Sequence, residues 1–490
     1  MADRAPALAG GGPRFAALAR AGAVPAALEA GGLAAILAAA GWAFAALLHT
    51  ATNYDEGNYL AALTDLRHGY VLGRDVYPDQ PPGWYLLLRL DAFLFGNSVT
   101  GVRTGLLVLS LLGVAAAWAC ARRLGPLPAL GAAAVVAVAP PYPSQAAQVG
   151  ADTPAAVLAL CALALAAWAF RERTSRPLAL AAGAVLACAV SVKLSALTAV
   201  LPFAALAVLA RGRFRNLAWP LLGAAVVFAA QLIAFSSELG PVLHGVVGQH
   251  ASALGSSRFS RSANVHRLVH FLDWHTPFAW LVVGGVAASL AFAFTRRERL
   301  LGALWLFVPA AAAFILAMKP LLDHHLVILA VALAVPVGAA LGLAAASLRR
   351  DAAAVLALGV AVFVAAGVYQ QHRQLHRDAH AEPDWILWAA DRLRAVTAPH
   401  EVVATDIPIV AYYAHRDLVP DLVDTSFTRV DVGDLRPARV FRELDRYHVR
   451  AAALGRALYA VPAVRAGFAA RFRQRIPHEF IVLYLGRRAP

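Results

Sequence analysis

The sequence alternates long apolar segments with short arginine-rich connections, and this alternation limits the fold more than any other feature. A helix that crosses a bilayer needs roughly 17 to 25 mostly apolar residues. Segments of about that kind occupy 31–50, 98–120, 127–141, 154–170, 178–192, 194–210, 217–235, 277–295, 300–318, 326–347 and 352–369. Of the 490 residues 60% are hydrophobic and only 15% charged, against roughly 45 to 50% apolar in a soluble domain. In lipid every backbone polar group must be satisfied within the protein, so the pattern implies an α-helical polytopic membrane protein with about eleven transmembrane helices. The net charge of +14 would suggest nucleic acid only if the arginines formed one basic face. They sit instead in clusters between apolar segments, which points to membrane topology.

Those clusters are the tail with Arg4, Arg14 and Arg20, then Arg122 with Arg123, the runs 171–176, 211–215 and 296–299, and Arg349 with Arg350. They fall in alternate connections and therefore on one face, which the positive-inside rule makes cytoplasmic. Residues 1–30 then read as a cytoplasmic tail and 31–370 as the membrane domain. The connections 51–97, 142–153, 193, 236–276 and 319–325 lie outside, as does the region 371–490. That last region carries charges throughout. In it, 401–406, 449–455 and 480–486 read as buried strands and 407–415 and 436–448 as helices, an order that predicts a small extracytoplasmic α/β domain. Cys120, Cys161 and Cys188 lie inside apolar segments at no metal-like spacing and read as small buried residues.

Polar chemistry concentrates in the first outer connection, TNYDEGNYLAALTDLRHGYVLGRDVYPDQPPGWYLLL, from Thr52 to Leu88. Asn53 with Glu56 three residues on has the form of a capping box, and Leu60, Leu63 and Leu66 follow at helical spacing. This predicts a short amphipathic helix along the membrane surface with Asp55 and Glu56 in its first turn. Gln80-Pro81-Pro82-Gly83 stops a helix, and Trp84 and Tyr85 fit an interfacial aromatic belt.

Other outer polar residues have a structural and a chemical reading each. Asp55 and Glu56 suit the N-terminal end of a solvated helix, or general-base work on an acceptor hydroxyl, for which a carboxylate with a free pKa near about 4 needs burial to be effective. Asp152 before Pro154 suits a helix start, or a second carboxylate meeting Asp55 as metal ligand or orienting group. Lys193 and Lys319 are the two lysines among 43 basic residues, both at outer ends of spans. They suit snorkelling, or a point charge for a phosphate leaving group. Asp323, His324 and His325 occupy a short outer turn; adjacent histidines on a helix do not share a face, which favours phosphate or sugar contact over a metal held by that pair. The loop 236–276 adds His244, Gln249, His250, Arg258, Arg261, His266, Arg267, His270 and His275, from which no single residue stands out.

The chain resembles the GT-C glycosyltransferases of the protein O-mannosyltransferase and aminoarabinose transferase type, which use polyprenyl-phosphate sugars. YDEGNY (54–59) matches the family's acidic motif and YPDQPPGWYLLL (77–88) its Pro-Pro-aromatic segment. GADTP (150–154) resembles the second acidic position, VSVKLSAL (190–197) the lysine near the lipid phosphate, and KPLLDHHLVILAVALAVP (319–336) the late segment, with His-His where relatives carry Arg or His followed by Tyr. The resemblance implies an inverting sugar transfer at the outer face of a bacterial inner (plasma) membrane. Asp55 would be the base, Glu56 and Asp152 would support acceptor or metal, and Lys193 with His324 or His325, and Lys319, would face the donor phosphate. A divalent ion held by Asp55 and Asp152 is the one cofactor left open. The partners would be the lipid-linked donor, a glycan, lipid or protein acceptor, and the bilayer. A secondary transporter, a non-catalytic scaffold and a transferase of whole oligosaccharides are the alternatives. A transporter predicts repeated halves and ionisable groups at mid-membrane, whereas these acids lie at segment ends.

Overall fold

The computed structural model describes residues 26–171, 174–210, 213–255, 261–272, 275–296, 299–377 and 381–487. The arginines of the tail, Arg211 and Arg258 lie outside them. Among the described residues seven helices are long and apolar enough to cross a membrane: Ala26–His49, Val99–Leu124, Asp152–Ala169, Phe214–Ala234, Arg299–Ala317, Asp323–Ser347 and Asp351–Arg377. Four shorter apolar helices, Pro126–Val138, Arg176–Val192, Leu194–Leu209 and Pro277–Ala291, fill the remaining segments. The segment Asp323–Ser347 is the central one, with 94% of its most apolar window buried inside the protein. Its first turn carries Asp323, His324 and His325, so the core helix delivers that turn to one end of the bundle. Of the cysteines only Cys120 is fully buried; Cys161 and Cys188 are partly exposed.

Glu29 near the start of the first helix accepts from Arg122 Nε at 2.5 Å, whereas the far end of that helix meets Arg103 through Leu47 O at 2.9 Å. The start of the first described helix and the Arg122–Arg123 cluster therefore share one end of the bundle, and the acidic loop occupies the other.

The first connection departs from its expected form in two places. The helix Tyr54–Arg67 does carry the Asn53–Glu56 capping box. It is not a half-exposed surface helix, however; residues from Glu56 to Leu63 are buried on every side. Its backbone is pressed against the C-terminal region at Gly57, where a Cβ would lie 2.9 Å from Ile409 N. The Pro-Pro run starts a helix, Pro82–Phe95, with Pro82 in the first turn, where a missing N–H costs nothing. Trp84 and Tyr85 are 0% and 3% exposed. They do not form a belt, because the helix packs so closely that a Cβ at Gly83 would lie 2.6 Å from Ser191 O. The opposite face of the helix exposes Leu86, Leu90, Phe93 and Leu94 instead.

The last long helix runs on to Arg377. Beyond it stands a five-stranded sheet, β1 (Val402–Thr405), β2 (Asp417–Leu418), β3 (Ala451–Leu454), β4 (Phe472–His478) and β5 (Ile481–Arg487), in the order β2-β1-β3-β5-β4. β1 is parallel to β2 and β3, and β5 is antiparallel to β3 and β4. The β1, β3 and β5 strands and the helices Pro408–Ala414 and Pro437–Arg446 were expected. The two-residue β2 and the largely exposed β4, with burial on one residue only, lack the apolar pattern that marks a strand. Polar contacts tie this unit to the first connection. Arg456 stacks on the Tyr54 ring at 3.3 Å, buried Arg429 on Tyr77 at 3.4 Å, and Arg446 reaches Asp75 at 3.1 Å.

Candidate active site

Four connections meet at the loop end of the bundle. Asp55 comes from the first turn of Tyr54–Arg67, Asp152 from the first turn of Asp152–Ala169, Lys193 from the extended residue after Arg176–Val192, and His324 from the turn opening the central helix. Lys193 Nζ donates to Asp152 Oδ2 at 2.7 Å, with both side chains 10% exposed. His324 Nε2 stands 3.9 Å from that oxygen and 3.9 Å from Asp55 Oδ2. The imidazole therefore lies between the two carboxylates, and the sequence reaches this arrangement from positions up to 269 residues apart (324 − 55).

Asp55, Asp152, Tyr59, Gln148 and His324 line a polar cleft whose free volume is about 20 Å³, room for about one water. The Asp55 side chain is 42% exposed and is one of the walls of the narrow cleft. Poor hydration there raises its pKa above the ordinary carboxylate value; His324 and Lys193 pull it down, and Asp424 and Asp152 push it further up. A base with a raised pKa holds a proton more readily once it has taken one.

Lys193 also lines a second, larger cavity of about 330 Å³. Most of its wall is apolar, from Leu194, Leu197, Val246, Val247, Phe314 and Met318, while Lys193, Lys319, His250 and Asp79 supply polar atoms. Lys319 Nζ is held by Leu254 O at 3.1 Å. Asp79 was quoted in the motif but not singled out by sequence reasoning. It is enclosed against Tyr85, whose hydroxyl donates to it, and burial together with the neighbouring Asp424 charge pushes its pKa up to about 7. Asp424, in the C-terminal region, is the other acid missed; it is 4% exposed, accepts from Ser426 N at 2.8 Å, and acts electrostatically on both Asp55 and Asp79. An Asp directly before Pro-Pro was the available signal for the first. Nothing local marks the second.

Glu56 is not in the cleft. Its Oε1 accepts from Arg103 Nε at 2.9 Å and Val149 N at 2.9 Å, and its Oε2 from Arg103 Nη2 at 2.7 Å and Asn53 N at 3.0 Å. With both oxygens engaged and 1% exposed, this carboxylate positions the Asp55 turn. His325 turns its Nδ1 toward Leu322 N at 3.1 Å. As for a divalent ion, one ligand atom each from Asp152, His324 and His325 lies within 4.8 Å of the others; Asp55 is not in that group. A cation there would compete with the Lys193 ammonium for the one Asp152 carboxylate, so the cluster suits a metal poorly. Of the long loop, His250 reaches the apolar cavity, Gln249 accepts from Tyr77 at 2.6 Å, and His244 approaches Asp434 at 3.6 Å. The His266 and His270 rings lie 3.9 Å apart, tilted by 36°, and Arg267 nears Asp323, the residue before His324, at 3.7 Å.

Residues 79–236 match the family model described as Dolichyl-phosphate-mannose-protein mannosyltransferase. No curated protein matches the sequence. Among solved structures, ArnT from Cupriavidus metallidurans bound to undecaprenyl phosphate is similar with a TM-score of 0.68 and 17% identity, over 94% of this chain and 98% of that one. Oligosaccharyltransferase AglB from Archaeoglobus fulgidus, in complex with an inhibitory peptide and a dolichol-phosphate, is similar with a TM-score of 0.52 and 13% identity, over 87% of this chain and 69% of that one. Arabinofuranosyltransferase AftD from Mycobacteria gives 0.54 and 13%, over 95% of this chain and 40% of that one. The chain shares its fold with these solved structures.

Proposed function

We propose that this chain, a glycosyltransferase of the GT-C fold, moves a sugar from a polyprenyl-phosphate donor to an acceptor hydroxyl with inversion. The observation that carries the reading is the Lys193–Asp152 pair, which joins the acidic cleft to a cavity shaped for a lipid with one charged end. The isoprenoid chain would lie along Leu194, Leu197, Val246 and Phe314, with its phosphate near Lys193 and Lys319. The sugar would then point toward Asp55 and His324.

In the step itself the acceptor oxygen attacks the anomeric carbon as the bond from that carbon to the phosphate oxygen breaks. The electron pair leaves with the lipid phosphate, whose growing charge Lys193 and Lys319 stabilise. The hydroxyl proton goes to Asp55, and His324 holds both acids in place. Asp152 keeps Lys193 aimed. The cleft is too small for a sugar as it stands, so donor binding must widen it. All of these groups lie at the bundle end opposite Arg122, which by the positive-inside rule is the outer face. Nucleotide sugars do not reach that side; lipid-linked ones do once flipped.

The test is transfer of label to native acceptors in membranes holding the protein. Label from radiolabelled polyprenyl-phosphate sugars, but not from nucleotide sugars under conditions that block their conversion to lipid, is expected. Label from nucleotide sugars alone overturns the reading.

A further inference from the structure

Away from the cleft, the far end of the Asp55 helix meets the C-terminal sheet at a second group of metal-ligating side chains. His68 caps the C-terminus of Tyr54–Arg67, Asp417 opens β2, and His400 sits in the loop before β1. One ligand atom from each lies within 4.8 Å of the others. His68 Nδ1 is 2.6 Å from Asp417 Oδ1, and the His68 and His400 rings meet edge to face with centroids 4.9 Å apart. Three segments distant in sequence converge here, and two imidazoles with a carboxylate are a donor set suited to zinc.

A second observation points the same way. Asp65 lies three residues before His68 and so on the same helix face. It is 0% exposed, and its Oδ1 accepts from the backbone N–H of Leu418, the residue beside Asp417, at 3.2 Å. Its Oδ2 is buried with no hydrogen-bond partner. Asp417 is itself 4% exposed. Among the described residues no Lys or Arg lies within ion-pair distance of either carboxylate, and His68 is the one basic side chain that reaches Asp417. Two buried carboxylates beside a single half-exposed imidazole, one of them with an oxygen that no donor reaches, form an acceptor-rich corner short of donors. A divalent cation is a partner that such a corner can take.

We propose that His68, His400 and Asp417 bind a zinc-class divalent ion, with Asp65 as the adjacent carboxylate and water completing a four-coordinate shell. Tetrahedral ligands at about 2.0 to 2.2 Å from zinc stand about 3.4 Å apart. The ion would therefore replace the direct His68–Asp417 contact by widening it by about 1 Å. The ion pins the helix carrying Asp55 to the sheet, at the end opposite that acid. It is a positioning device outside the reacting groups and independent of which sugar the cleft uses.

The test uses the full-length protein purified in detergent, stripped with EDTA, re-equilibrated with zinc chloride and washed, with metal per chain measured by mass spectrometry. Wild type is expected to retain about one zinc per chain. A His324→Gln/His325→Gln variant, which alters the other histidine cluster, is expected to retain it equally. His68→Gln and His400→Gln are each expected to weaken binding at least about tenfold, and zinc is expected to raise the melting midpoint of wild type but not of His400→Gln. His400 is exposed, so its replacement keeps the test valid should the buried Asp417→Asn variant fail to fold. No retained zinc in wild type, or unchanged zinc in His400→Gln, overturns the proposal. So does loss of zinc in the His324→Gln/His325→Gln variant alone.

Discussion

Replacing Arg103 by Met tests whether the acidic turn is held by one buried ion pair. Arg103 and Glu56 are each 1% exposed and are joined by bonds of 2.9 and 2.7 Å. The same guanidinium donates to Leu47 O at 2.9 Å, Thr50 O at 2.6 Å and Ala51 O at 3.2 Å, closing the end of the first helix. Met keeps the stem's packing but leaves Glu56 with only the Asn53 and Val149 amides. Breaking a buried pair by removing one partner costs about 3 to 5 kcal/mol, because the remaining charge is uncompensated. Adding Glu56→Gln removes that charge, so the double variant should cost less than the sum of the singles by about 1 to 3 kcal/mol. Reversible unfolding in mixed detergent and SDS micelles measures all three. A single-variant cost below about 1 kcal/mol, or strict additivity, would refute the claim that this pair holds the turn. Sugar transfer by folded Arg103→Met should also fall, since Asp55 is the neighbour of Glu56.

The other predictions concern the cleft and its walls. The Lys193 charge lowers the Asp55 pKa, so Lys193→Met should raise it; the base form is then lost at higher pH, and the acid limb of the rate profile should move upward, whereas an unmoved limb counts against Asp55 as the titrating base. Lys319→Met should raise the KM for the lipid donor more than it lowers kcat, measured by initial rates across donor concentration. Gly57→Ala puts a methyl 2.9 Å from Ile409 N and 3.1 Å from Ile409 Cβ; it should cost about 1 to 3 kcal/mol in stability and speed proteolysis between the bundle and the sheet, and wild-type behaviour would show that this contact yields easily.

The parts that could be read from sequence are those whose cause is local. Span length and basic clusters gave the apolar segments, and Asn53 with Glu56 gave a helix start because a capping box needs only residues three apart. Asp55, Asp152, Lys193 and His324 could each be picked out as polar residues at segment ends. That they converge around one imidazole could not, since convergence depends on how four connections pack. Trp84 and Tyr85 misled because an aromatic near a span is read as interfacial, whereas their burial depends on Gly83 letting that helix approach Ser191. Glu56 looked like a reacting acid until Arg103, a residue inside a distant apolar segment, took both its oxygens. Asp424 was beyond sequence reasoning altogether, because it reaches the acidic loop only through the docking of the C-terminal region.

The most direct measurement of the central claim is single-turnover sugar transfer by Asp55→Asn, with binding of the polyprenyl-phosphate donor measured on the same preparation. Asn keeps the shape and cannot take the proton. Donor affinity near wild type with the transfer rate down about 10²- to 10⁴-fold is the result predicted for a general base. Transfer at the wild-type rate with the donor bound would contradict it.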